Sequence, residues 1–170
     1  CVALVTELHR QCVECKADFE IIVADDGSLS GAIGMNKACQ HLIDENKVIE
    51  HLKGVRYIIR EKNVGRSAIR NFLVSQSKGE KILFIDGDLS LDNPSFIRNY
   101  LQTEADVVVG GIAIGGNPDR WKGYLRYRYE RQSEVINTVE SRQSQPYQHL
   151  ATNLLVRRSV LGEQPYDENI

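Results

Sequence analysis

The sequence predicts an α/β fold, a mostly parallel central sheet with helices on both faces. Three observations predict it. Short continuous apolar runs, such as Ile21-Ile22-Val23-Ala24 and Ile82-Leu83-Phe84-Ile85, have the character of strands buried on both faces. Amphipathic helical stretches alternate with them, which is the pattern of βαβ units. Two of the runs end in acidic, glycine-containing turns, Asp25-Asp26-Gly27-Ser28 and Asp86-Gly87-Asp88. Right-handed crossovers bring parallel strand ends to one edge, and open sheets bind their ligands there.

The elements follow in order. Residues 1–16 place Val2, Leu4, Val5, Leu8, Cys12 and Cys15 at three- and four-residue spacings, which predicts a helix. The Phe19–Ala24 run is a strand, residues 29–34 a loop, and about 35–52 a helix. Gly54–Arg60 is a second strand, Asn63-Val64-Gly65 a turn, and Ser67–Ser77 a helix, with Gly79 in the place of a helix-ending glycine. Lys81–Ile85 is a third strand. Pro94 and Ser95 open a helix to about Gln102. Asp106–Gly111 is a fourth strand. Residues 117–140 are mostly helical, 141–150 are polar loop, Thr152–Arg158 is a last strand, and Tyr166–Ile170 a tail. The division expected is a single domain over 1–170, in two halves, 1–109 and 110–170.

Composition narrows the function. The chain has 170 residues, 42% hydrophobic and 26% charged, as in an ordinary globular domain. Its 21 basic and 23 acidic residues leave a net charge of −2, which argues against nucleic acid as a partner. A small anionic ligand fits this balance, because a few amides or one cation can hold a phosphate. No apolar run has the length of a membrane span, and no signal-peptide pattern opens the chain. Four cysteines make no dense disulfide framework, so the expected compartment is the reducing cytoplasm.

The chemistry gathers at the strand ends. Two carboxylate clusters on one edge need a cation or donors to compensate them. Asp-x-Asp offers hard oxygen ligands to Mg²⁺ or Mn²⁺, and Gly87 lets a ligand approach. Asn63–Asn71 enters a helix with Arg66 and Arg70 one turn apart, an arrangement suited to an anion or nucleotide. Three other features are read as structural. Cys12-x-x-Cys15 lacks the second ligand pair of a zinc site. The Gly110–Gly116 segment does not fit a dinucleotide fingerprint. Trp121, Tyr124, Tyr127 and Tyr129, among Arg120, Lys122, Arg126, Arg128 and Arg131, are read as the inward face of an amphipathic helix with solvated basic residues. The competing reading of that helix is a surface for acceptor sugar, lipid phosphate or membrane headgroups.

Five segments, EIIVADDGS (20–28), EKNVGRSAIRN (61–71), KILFIDGDLSLDNPSF (81–96), ATNLLVRRSVL (151–161) and YDENI (166–170), together resemble family 2 glycosyltransferases of GT-A fold. The resemblance spans nearly the whole chain. It implies inverting transfer of a sugar from a nucleotide-sugar donor, most often a UDP-sugar, to a glycan or lipid-linked acceptor hydroxyl. It implies a cytoplasmic protein, with peripheral association of its parent at the inner face of a membrane. Carried over by position, Asp26 binds the base, Asp25 supports the turn, Asp86 lies near the ribose, and Arg66 or Arg70 lies near the nucleotide. Asp88 holds the Mn²⁺ or Mg²⁺ that bridges the diphosphate. Thr152 and Asn153 face the sugar and acceptor.

The resemblance is incomplete at both ends. Family members usually begin with an apolar strand and a Pro-x-Tyr-Asn-like turn, and carry a Glu-Asp pair beyond the segment matched by YDENI. The chain is therefore expected to be a fragment of low activity, with its catalytic base beyond Ile170. A non-catalytic module of the same fold that binds nucleotide-sugar or glycan is the alternative. A nucleotidyltransferase, which would show a glycine-rich basic loop after its first strand, is a third reading.

Overall fold

The computed structural model describes residues 1–30, 37–113, 120, 123–133, 139–144 and 153–169. The apolar stripe of the first sixteen residues does form a helix, α1 (Val2–Glu14), burying Leu4, Val5, Leu8 and Cys12. One stripe serves two clusters. Leu4, Leu8 and Cys12 pack with Ile97, Ile21, Leu83 and Ile85, while Val5 packs with Ile49, Val55, Ile21 and Val23. Each fully buried aliphatic side chain contributes about 1.5–3 kcal/mol. Gln11, 1% exposed, is the polar rivet in this apolar face. Its Nε2 donates to the Asn93 carbonyl at 2.9 Å, and its Oε1 accepts from the Ile97 amide at 3.0 Å.

After α1, strand β1 (Ile21–Asp25) is followed by helix α2 (Lys37–Asn46), a 3₁₀ turn (Lys47–His51) and strand β2 (Val55–Ile59). Helix α3 (Arg66–Gln76), strand β3 (Lys81–Ile85), helix α4 (Phe96–Leu101) and strand β4 (Val107–Val109) continue the alternation. Beyond β4 come helices α5 (Leu125–Ser133) and α6 (Val139–Ser144), strand β5 (Asn153–Arg157) and helix α7 (Arg158–Glu163).

β1 and β2 pair in parallel, Ile21 opposite Val55 through Asp25 opposite Ile59. β5 lies between β3 and β4 and is antiparallel to both, so β3 and β4 run in the same direction. The α/β class with helices and a parallel pair therefore stands, and the reversal falls on the one strand reached by the long excursion after β4. A βαβ crossover fixes parallel sense, but such an excursion does not. A third cluster, Phe84, Val156 and Leu161 with Val74 and Tyr166, sits over this sheet.

Several boundaries differ from expectation. α3 stops at Gln76 with Ser77 extended, so Gly79 is not its terminating glycine. Ser77 takes the end of the helix because its amide already bonds Leu73 and Val74 carbonyls. The last strand ends at Arg157, so that Arg158 opens a helix through Glu163 where none was expected, and α6 reaches Ser144, inside the expected loop. Tyr124, just before α5, and Leu125 and Tyr129 on it are exposed, at 57%, 83% and 63%. The inward aromatic face is thus corrected: only Tyr127 and Glu130 are half-buried over 123–130. The four cysteines are free thiols, and burial beside Cys15 pushes Cys12 up to about 11. Among the described residues no helix is long and apolar enough to cross a membrane.

Candidate donor site at the head of helix α3

Three chain segments meet where α3 begins. The first is the turn after β1. The Asp25 carboxylate accepts the Ser28 amide at 2.8 Å and closes the turn. Gly27 then takes φ +74°, and a Cβ there would lie 2.3 Å from the backbone of Lys62 and Asn63. Only glycine satisfies both the left-handed backbone and that approach. The close approach is what presses the β1 turn against the segment leaving β2.

That second segment, Asn63-Val64-Gly65, is held by the first. Asp26 Oδ2 accepts the amides of Val64 and Gly65, each at 3.1 Å. The protein's own carboxylate thus takes the capping amide of α3 and the one before it, and the Arg66 and Arg70 side chains bring positive charge to the same helix start.

The third segment follows β3. Asp86 accepts from Arg66 Nη2 at 2.7 Å and from Arg70 Nη2 at 3.2 Å. The two arginines differ in setting: the Arg66 side chain is 64% exposed and that of Arg70 is 10% exposed. Burying a charge demands a partner, and Asp86 supplies it for Arg70. Two residues on, the Asp88 side chain is 73% exposed and lies 3.9 Å from Arg126 of α5. An exposed pair at this distance adds little stability.

Asp26 meets the head of α3 through Val64 and Gly65, and Asp86 meets it through Arg66 and Arg70, so both acidic turns reach one helix start, while Asp25 closes its own turn. Asp88 lies beside them, on the solvent side. Asn153 is a ladder neighbour, opposite Ile85, but its side chain is 5% exposed and engaged elsewhere. Its Oδ1 accepts from the Tyr100 hydroxyl at 2.7 Å, and its Nδ2 donates to the Gly111 carbonyl at 2.9 Å. Both atoms brace β5 against α4 and the chain after β4. A Cβ at Gly110 would fall 1.5 Å from Asn153 Oδ1, so the brace also needs that glycine. Thr152 lies outside the described residues, as does the Ile114–Gly116 part of the glycine-rich segment.

Three participants were not singled out from the sequence. Arg126 was visible only as one arginine in a basic, aromatic run. Asn71 and Tyr166 lay inside quoted motifs, but no local pattern announces that they meet across 95 residues of chain.

Among the described residues no three His, Cys, Asp or Glu side chains gather to hold a metal ion. What is present suits a shared site. Asp88 offers one exposed carboxylate, and a Cβ on Gly87 would meet nothing within 4 Å. Mg²⁺ and Mn²⁺ commonly take one or two carboxylates and complete their shell with substrate phosphate and water. The family model described as Glycosyl transferase family 2 matches residues 2–163, and the chain belongs to that family.

Proposed function

We propose that this chain carries the donor site of an inverting, metal-assisted glycosyltransferase. It moves a sugar from a nucleotide-sugar, with a UDP-sugar the favoured donor, to a hydroxyl of a glycan or lipid-linked acceptor. The observation that carries this reading is the convergence of Asp26, Arg66, Arg70 and Asp86 at the head of α3, in a chain of this family.

The roles follow from what each group has left to offer. Asp26 accepts the Gly65 amide on Oδ2 and the Val64 amide on both oxygens, and the remaining lone pairs of the carboxylate can accept the N–H groups of a base. Asp86, held between two guanidinium groups, accepts from ribose hydroxyls. Arg66 is the exposed partner of that pair, free to turn toward phosphate while Arg70 continues to neutralise Asp86. Asp88 holds the cation together with the diphosphate, and that cation supplies charge stabilisation as the diphosphate leaves. The nucleotide half is 1–109, and the acceptor half is 110–170.

Calorimetric titration of UDP, with GDP as control, with and without Mn²⁺, tests this on the wild type and on Asp88→Ala. The expected result is Mn²⁺-dependent UDP binding that Asp88→Ala abolishes. Equal affinity for GDP would remove the uridine assignment. Absence of binding to either nucleotide would overturn the donor-site reading.

A further inference from the structure

The C-terminal segment Tyr166–Asn169 is seated on the same helix that organises the donor site. Asn71 takes both backbone groups of Tyr166: its Oδ1 accepts the Tyr166 amide at 3.0 Å, and its Nδ2 donates to the Tyr166 carbonyl at 2.9 Å. The same Nδ2 also donates to Glu168 Oε1 at 2.8 Å. A side-chain amide used this way imitates a rung of a β-ladder and satisfies backbone groups that no strand pairs. Asp167 closes the segment on itself, accepting the Asn169 amide at 2.9 Å.

The neighbouring residue of α3 holds the Tyr166 ring. The Arg70 guanidinium carbon lies 5.4 Å from the Tyr166 ring centre and 5.7 Å from that of Phe84. Those two rings meet edge to face at 5.7 Å. Arg70 is 8% exposed, so its charge is answered inside the protein, and Asp86 is the carboxylate that answers it. One buried cation therefore touches the donor-site carboxylate on one side and the tail's aromatic anchor on the other.

We propose that Arg70 is a positioning residue that couples Asp86 to the docking of Tyr166–Asn169, so that nucleoside diphosphate binding and the seating of that segment stabilise each other. A ligand that fixes Asp86 fixes the guanidinium plane, and with it the surface on which Tyr166 rests. The ordering entropy is then met once for both events. Linkage requires the converse, that a well-seated segment tightens nucleotide binding by the same factor. The nucleotide end of this coupling rests on the donor-site reading above, whereas the link from Asp86 to the tail does not.

Hydrogen exchange read by mass spectrometry on peptides covering 164–169, with α1 as internal control, tests the link without any ligand. Asp86→Asn is expected to speed exchange of the Tyr166 segment about fivefold through an interaction it does not touch directly, with α1 unchanged. Arg70→Lys keeps the charge, loses the flat stacking surface, and gives an acceleration of the same order if Asp86→Asn folds poorly. Wild-type exchange in the tail of a folded Asp86→Asn or Arg70→Lys protein overturns the proposal. In the liganded arm, saturating UDP with Mn²⁺ is expected to slow tail exchange about threefold, and Tyr166→Ser to weaken UDP binding about threefold. If UDP binds but leaves tail exchange unchanged, the nucleotide coupling is wrong. If the wild type binds no UDP, the donor-site reading fails, and the ligand-free arm still decides the link.

Discussion

The two acidic turns occupy equivalent places after β1 and β3, yet their carboxylates are used in different ways. Asp25 and Asp26 accept backbone amides of Ser28, Val64 and Gly65. Asp86 and Asp88 face the guanidinium groups of Arg66, Arg70 and Arg126. An amide donor is fixed by the fold and cannot leave without unfolding its loop. A guanidinium on a long side chain can exchange one anion for another. The first turn therefore builds the edge, and the second is the part that can respond to a ligand. The predictions separate these two uses, beginning with the changes that cost most stability.

Gly27→Ala strikes the first turn at its tightest point. The left-handed φ of +74° and the 2.3 Å approach to the Lys62–Asn63 backbone act together. Strain and overpacking of this kind are expected to cost about 3 kcal/mol, seen as a lowered denaturation midpoint. Asp26→Ala removes the acceptor for two amides at the head of α3 and is expected to cost about 1–2 kcal/mol. A loss below a few tenths would mean that this turn is no more structural than the second.

Glu20 extends the comparison to the other end of β1. Burial pushes its carboxyl up, but the amides of Lys78 and Gly79 and the Arg56 guanidinium outweigh that and hold it below its ordinary value of 4.5. A depressed folded pKa means that the contribution is complete above about 4.5 and is lost as pH falls through the lower folded value. Glu20→Gln is therefore expected to cost about 1 kcal/mol at neutral pH. Below the folded value the difference between the two proteins should vanish. Chemical denaturation of both proteins from pH 7 down to pH 3 checks the sign, and a gap that widens on acidification would refute it.

Much of this was legible in the sequence because it is local. Apolar runs ended by Asp-Asp-Gly-Ser and Asp-Gly-Asp marked β1, β3 and the edge where they finish, and Arg66 and Arg70 were spaced for one helical face. What escaped depends on contacts distant in sequence. Nothing near Asn153 says that its amide is consumed by Tyr100 and Gly111. Nothing near Asn71 says that it will receive a segment from the other end of the chain. The reversed sense of β5 is of the same kind, since strand direction after a long excursion is set by where the chain returns. Tyr124 and Tyr129 show the converse, a composition that suggested an inward face where these two rings are exposed.

Asp88→Ala is the change with the smallest effect on stability and the sharpest on function. The carboxylate is 73% exposed, and its one described ion pair, to an equally exposed Arg126, is 3.9 Å long. Surface pairs of this quality contribute little, so the denaturation midpoint should move by no more than about 0.5 kcal/mol. Mn²⁺-dependent nucleotide binding should nevertheless fall by at least about tenfold, because in the proposed donor site Asp88 is the carboxylate that holds the cation together with the diphosphate. The contrast with Asp26→Ala is the point of the pair. Loss of stability at Asp26 with little at Asp88, and loss of metal dependence at Asp88, would separate a carboxylate that holds the edge from one that the edge holds out to its ligand. Equal destabilisation by both would show that the two turns are used alike, and that the exposed position of Asp88 has no bearing on the donor.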